Sequence, residues 1–134
     1  MKYLGIDWGA WKIGLATGSD ETRVASPFYI MIGKKDNQAI AEIKRVIEEE
    51  DIDVLVVGKP LSLSGRENDS VKYTKFVTLL KTIDIKIDFQ DERMSTKHAN
   101  VLERDFGKVK HDRDDDIAAT VILQTYIDRV NLDT

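Results

Sequence analysis

Carboxylates at three places in this sequence could do chemistry together. Asp7 closes a short apolar run, Glu92 lies in Asp91-Glu92-Arg93, and Asp115 is the middle of Asp114-Asp115-Asp116. One acid from each of two strand ends and a helix start can hold hard divalent cations. Oxygen donors of this kind suit magnesium or manganese, not zinc. Two such ions activate a water and stabilise the leaving oxygen in phosphodiester hydrolysis. Each acid also has a plainer reading. A carboxylate ending a buried strand is costly unless it is paired or binds a cation, but Asp7 can equally hydrogen-bond the amides of the turn Asp7-Trp8-Gly9. Glu92 shares strand parity with Lys86, Asp88 and Gln90, so it can continue a solvated face or pair with Arg93. Acids at a helix start are favoured by the macrodipole, so the run from Asp112 to Asp116 can simply cap. Ala118 and Ala119 follow Asp115 by three and four residues. Small residues let that face approach a sheet, which would carry Asp115 inward; periodicity narrows the choice among the three aspartates but does not settle it.

These acids need elements to hold them. Residues 3–7, 13–17 and 24–32 read as three strands of a meander, with a turn at Gly18-Ser19-Asp20. Pro27 removes a ladder donor, so the third strand belongs at a sheet edge. Ile40, Ile43 and Ile47 mark a helix over 37–50 that Asp36 can cap. The β-branched run 53–57 has the pattern of a buried parallel strand. A loop over 58–65 precedes a helix at 68–82, with Val71, Phe76, Leu79 and Leu80 on its apolar side. Ile85, Ile87 and Phe89 alternate as a fifth strand. Ser95 caps a helix carrying Ala99, Leu102 and Phe106 that stops at Gly107, and a last helix runs over 114–130. The order βββαβαβαα implies an α/β fold: a five-stranded mixed sheet ordered 3-2-1-4-5, with helices on both faces. Strands one, four and five are then parallel. Their carboxyl ends line one edge, where open α/β sheets bind ligands, and that edge collects Asp7, the 58–65 loop and Asp91-Glu92-Arg93.

The composition of the 134 residues fits one globular domain over 1–134, with 42% hydrophobic and 33% charged residues. No cysteine is present, which removes disulfides, thiolate nucleophiles and cysteine zinc sites and suits a reducing cytoplasm. No apolar run approaches the roughly 20 residues of a membrane span, and Asp7 interrupts any secretory segment. A net charge of −4 argues against a broad electrostatic grip on nucleic acid. A local grip remains possible: Arg93, Lys97, Arg104, Lys108, Lys110 and Arg113 outnumber Glu103, Asp105 and Asp112 in the same stretch. A solvated face with ion pairs explains that stretch equally well. His98 and His111 have no spaced partner ligand, so surface or capping roles suit them. Trp8 and Trp11 are expected to pack over the strand ends rather than stack on bases. The 58–65 loop lacks the Lys-Ser/Thr ending of a P-loop.

Four motifs now stand in order: Asp7-Trp8-Gly9 with Lys12-Ile13-Gly14-Leu15-Ala16; Val57-Gly58 with Pro60-Leu61-Ser62 and Gly65; Asp91-Glu92-Arg93 with Ser95-Thr96; and Asp115 with Ala118-Ala119 and Ile122-Leu123-Gln124. The ordered set resembles the YqgF/RuvX family of Holliday junction resolvase-like proteins. That resemblance implies a ribonuclease-H-like fold and metal-dependent nuclease chemistry with magnesium or manganese, two ions. It implies a catalytic and metal-binding triad of Asp7, Glu92 and Asp115, and nucleic acid as partner, either precursor 16S ribosomal RNA at its 5′ end or branched DNA. Lys12, Arg93, Lys97, Lys108 and Lys110 are the expected nucleic-acid contacts. The family usually has arginine where this chain has Lys12; lysine keeps the charge and loses the bidentate fork. Two other readings compete. Asp7, Gly9 and Gly14 also resemble the first phosphate loop of actin-like and sugar-kinase-like proteins, but those close two domains around ATP. A non-catalytic RNA- or ribosome-binding module of the same fold is the other.

Overall fold

The computed structural model describes residues 1–60, 67–91 and 114–132, with side chains from residue 70 in the second span and 117 in the third. The sheet has five strands ordered β3-β2-β1-β4-β5, as expected from a meander followed by two crossovers. β1 (Lys2–Trp8), β2 (Lys12–Ser19) and β3 (Ser26–Ile32) form the antiparallel meander. β4 (Val54–Lys59) and β5 (Lys86–Asp91) continue it in parallel from β1. β3 is an edge strand, and its register slips where Leu15 faces Tyr29 but Ala16 faces Pro27. The missing proline donor therefore falls at a bulge on an edge, where a lost ladder bond is cheapest.

The two faces of the sheet carry separate cores. α1 (Asp36–Glu49) and α2 (Glu67–Leu80) lie on one side. There Ile43, Val46, Phe76 and Leu80 pack with Leu4, Ile6, Leu15, Leu55 and Val57. α3 (Asp114–Val130) covers the other side, setting Ala119, Ile122, Leu123, Tyr126 and Ile127 against Tyr3, Ala16, Val54 and Val56. β1 and β4 are thus buried on both faces, which is why their sequences are continuous apolar runs rather than alternating ones. Full burial of side chains such as Leu123 or Ile127 contributes about 1.5–3 kcal/mol each. No helix among the described residues is long and apolar enough to cross a membrane.

Several local expectations change. Asp36 does not cap α1; the helix begins at Asp36, and the Lys35 N–H donates to the Gln38 side chain at 3.1 Å. Val71 is 66% exposed, so the apolar side of α2 is Phe76, Val77 and Leu80, with half-buried Leu79 packed beside them. Gly18 and Ser19 belong to β2, and the turn follows them, with the Arg23 N–H donating to the Ser19 carbonyl at 2.9 Å. The β5 face that Glu92 could continue is solvated at Lys86 but covered toward its end, where Gln90 is 3% exposed and Phe89, on the other face, 37% exposed. The expected helix from Ser95 to Gly107 and most of the 58–65 loop lie outside the described residues.

Candidate active site at the carboxyl end of the first strand

Asp7 is the penultimate residue of β1 and is half-buried. It shares parity with Tyr3 and Gly5, so its side chain belongs to the α3 face. Tyr3 meets Tyr126 edge-on with ring centroids 5.5 Å apart. Gly5 lies under the helix itself: a Cβ there would sit 2.8 Å from Leu123 Cβ and 3.2 Å from the Ala119 carbonyl oxygen. Contacts along β1 thus progress from Tyr126 to Leu123 and Ala119, so α3 runs against the strand. Two strand residues from Gly5 to Asp7 advance about 6.8 Å. Four helical residues back from Ala119 advance about 6 Å. The first turn of α3, with Asp114, Asp115 and Asp116, accordingly lies at the Asp7 end of the sheet. Ala119 is wholly buried at this approach and Ala118 half-buried.

Lys12 opens β2. Gly14 pairs with Asp7, and Lys12 shares Gly14's parity, so Lys12 and Asp7 belong to one face and one end of the sheet. Across the sheet, Ile6 is level with Val57 and Val57 with Phe89. The next row therefore runs from Asp7 through Gly58 to Gln90. On β5 the α3-facing residues are tied to the helix. The Tyr126 hydroxyl donates to Asp88, and Arg129 Nε donates to Gln90 Oε1 at 3.1 Å. Burial first, then this bond to Asp88, pushes the Tyr126 phenol above its ordinary range. The same pattern raises Tyr29, bonded to Glu42, to about 12.

The side chain of Asp115 and all of Glu92, Arg93, Lys97, Lys108 and Lys110 lie outside the described residues. Among the described residues no three acidic or histidine side chains cluster as a cation cage. The described part of the site contributes the oxygen donors of Asp7, which fit a hard cation in kind. Sequence reasoning missed Gly5, although a glycine inside a strand is a known sign of close backbone approach. It also gave Gln124 no task. The Gln124 side chain accepts from the Ala25 N–H at 2.8 Å and donates to the Arg23 carbonyl at 3.0 Å, so it ties α3 to the turn between β2 and β3. Trp8 packs as expected, edge-on to Tyr73 with centroids 5.7 Å apart. Trp11 does not: it is 65% exposed.

Comparison with known proteins bears on this geometry. A relative from Rickettsia bellii, named "Putative pre-16S rRNA nuclease", is 35% identical over 133 residues, covering 96% of this chain and 86% of its own. One from Dictyoglomus turgidum with the same name is 35% identical, covering all of this chain and 99% of its own. Among solved structures, RuvC of Thermus thermophilus in complex with a Holliday junction substrate superposes with a TM-score of 0.70 at 12% identity, covering 98% of this chain and 97% of that one. That likeness establishes the shared resolvase fold. The family model described as "RuvX: Holliday junction resolvase" matches residues 1–129, and the chain belongs to this nuclease family.

Proposed function

We propose that the chain is a metal-dependent nuclease that trims the 5′ end of precursor 16S ribosomal RNA in the cytoplasm. The observation that carries this is Asp7: a half-buried carboxylate at the end of β1, on the face that α3 approaches over Gly5, in a chain matched to RuvX over 129 residues. Its curated relatives bear the pre-16S nuclease name. Asp7, Glu92 and Asp115 are the residues that would hold magnesium or manganese. When bound, a pair of such ions supplies an activated water and charge stabilisation at the leaving oxygen. The chain's own part is to converge its carboxylates from β1, the segment after β5 and the start of α3. Lys12 sits on the Asp7 face and neutralises a backbone phosphate as a point charge. Arg93, Lys97, Lys108 and Lys110 extend that grip locally in a chain of net charge −4.

The test is cleavage of precursor ribosomal RNA and four-way junction DNA in manganese and in chelator, by wild type and Asp7→Asn. Manganese-dependent 5′ trimming that disappears in Asp7→Asn is the expected result. Cleavage of the junction alone moves the substrate to branched DNA. Undiminished cleavage by Asp7→Asn removes the site.

A further inference from the structure

Trp11 leaves most of its indole in solvent although Trp8, three residues earlier, is packed against Tyr73. Its position is nonetheless fixed. The six-membered ring lies over Gly33, which has φ of +64° and where a Cβ would stand 3.1 Å from Trp11 Cη2. The Gly33 N–H donates to the Trp11 carbonyl at 2.9 Å. Only glycine permits both the backbone conformation and the close seat of the ring. Beside Trp11 opens a cleft of about 280 Å³, lined by Trp8, Trp11, Lys34, Asp36, Lys72 and Lys75 among others. Lys72 and Lys75 are exposed on α2, three residues apart and so on one side of the helix. Lys34 pairs with Glu42 at 3.6 Å. The lining has three cations against one carboxylate, in a chain whose overall charge is negative.

An aromatic platform edged by ammonium groups matches an unpaired nucleotide: the base stacks and the phosphate meets the cations. A duplex offers no free base face for stacking, and the cleft is at the small end of ligand pockets. Trp8 directly follows Asp7 and faces the opposite side of the sheet, with the α1 and α2 core. The cleft and Asp7 therefore flank one strand end. We propose that this cleft binds an unpaired nucleotide next to the cleaved bond, with its base on Trp11 and its phosphate at Lys72 and Lys75. Adjacency to the cleaved bond rests on the nuclease reading; nucleotide binding itself does not. Lysines and an indole do not read the 2′-hydroxyl, so both RNA and DNA single strands fit.

The test is fluorescence anisotropy in EDTA with a labelled single-stranded RNA, the same sequence as DNA, and the corresponding duplex. Trp11→Ala weakens single-strand binding roughly ten-fold, and Trp11→Phe restores most of it. Lys72→Gln with Lys75→Gln lowers the salt slope by about 0.7, the share of one single-strand phosphate contact. Duplex binding does not respond to Trp11→Ala. A response confined to RNA or to DNA keeps the stacking cleft and overturns its indifference to the 2′-hydroxyl. Unchanged single-strand binding in both variants, or an equal loss on duplex, overturns the proposal. If nothing is cleaved by any variant yet the binding pattern holds, the nuclease reading fails and the cleft stands. If cleavage is present and the pattern absent, the cleft alone fails.

Discussion

Asp114, Asp115 and Asp116 open α3 in succession, and neighbours on a helix point about 100° apart. They cannot all face one ion pair. Asp115 precedes Ala119 by four residues, and Ala119 is the residue whose carbonyl meets Gly5. We expect Asp115→Asn to abolish metal-dependent cleavage, a loss of orders of magnitude, because water activation and leaving-group stabilisation fail together. Asp114→Asn and Asp116→Asn lose about 0.3–1 kcal/mol of stability through the helix macrodipole and little turnover. Single-turnover cleavage with folding checked by circular dichroism decides this. Equal, modest losses in all three reduce the run to a cap, and a collapse confined to Asp114→Asn or Asp116→Asn shifts the inward face by one residue. At this scale the sequence was legible where chemistry is local. The strand-end carboxylate at Asp7 and the small residue at 119 were both readable. The exposure of Trp11 was not, because it depends on Gly33, a partner in another loop that turns with positive φ. The task of Gln124 was hidden for the same reason: its partners Arg23 and Ala25 lie about a hundred residues away.

The close passage of α3 over β1 makes the pair of elements sensitive to a single methyl group. Gly5→Ala places a Cβ 2.8 Å from that of Leu123 and 3.2 Å from the backbone at Ala119. A main-chain carbonyl cannot rotate aside, so the helix must lift. Overpacking of this kind destabilises by about 1–3 kcal/mol. Because the start of α3 is displaced with the rest, the cleavage rate should fall further than stability explains, even where the variant is fully folded. Urea unfolding and cleavage at a temperature well below the transition measure the two effects. A Gly5→Ala variant as stable and as active as wild type would mean that the approach is looser than these distances. Strand order was legible because three meandering strands and two crossovers leave few arrangements. The covered side of β5 was not. Alternation separates two faces of a strand without saying which one a helix covers. On β5 the residues that decide it, Tyr126 and Arg129, stand 38 and 39 residues from their partners Asp88 and Gln90. Val71 misled for a related reason. Helical spacing gave α2 a wide apolar arc, and the core covers the part holding Phe76, Val77, Leu79 and Leu80 but not Val71.

Across the whole molecule, the proposed ion site adds a link at one end of the sheet between β1, the segment after β5 and α3, which already packs on both strands. Asp7 belongs to β1, shared by both cores; Asp115 opens α3, and Glu92 follows β5. Carboxylates gathered without a cation repel one another, and a bound ion removes that repulsion while linking three elements. Ions that bind the folded chain and not the unfolded one stabilise by mass action, about 2.7 kcal/mol at a hundred times the dissociation constant. For a chain of 134 residues this raises Tm by roughly 8–12 °C. Manganese should produce that rise in wild type and EDTA should reverse it. Asp7→Asn should abolish most of the rise. In chelator the same variant should be slightly more stable than wild type, because one of the mutually repelling charges is gone. Thermal melts followed by tryptophan fluorescence report from the α1 and α2 side, where Trp8 lies. Far-ultraviolet circular dichroism reports on α3 as well. Both signals should move together, since β1 and β4 contribute to both cores and neither face can unfold alone. An equal manganese shift in Asp7→Asn would put the stabilising ion elsewhere. A clear loss of stability in chelator would assign Asp7 to the turn that follows it, as a hydrogen-bond acceptor rather than a metal ligand.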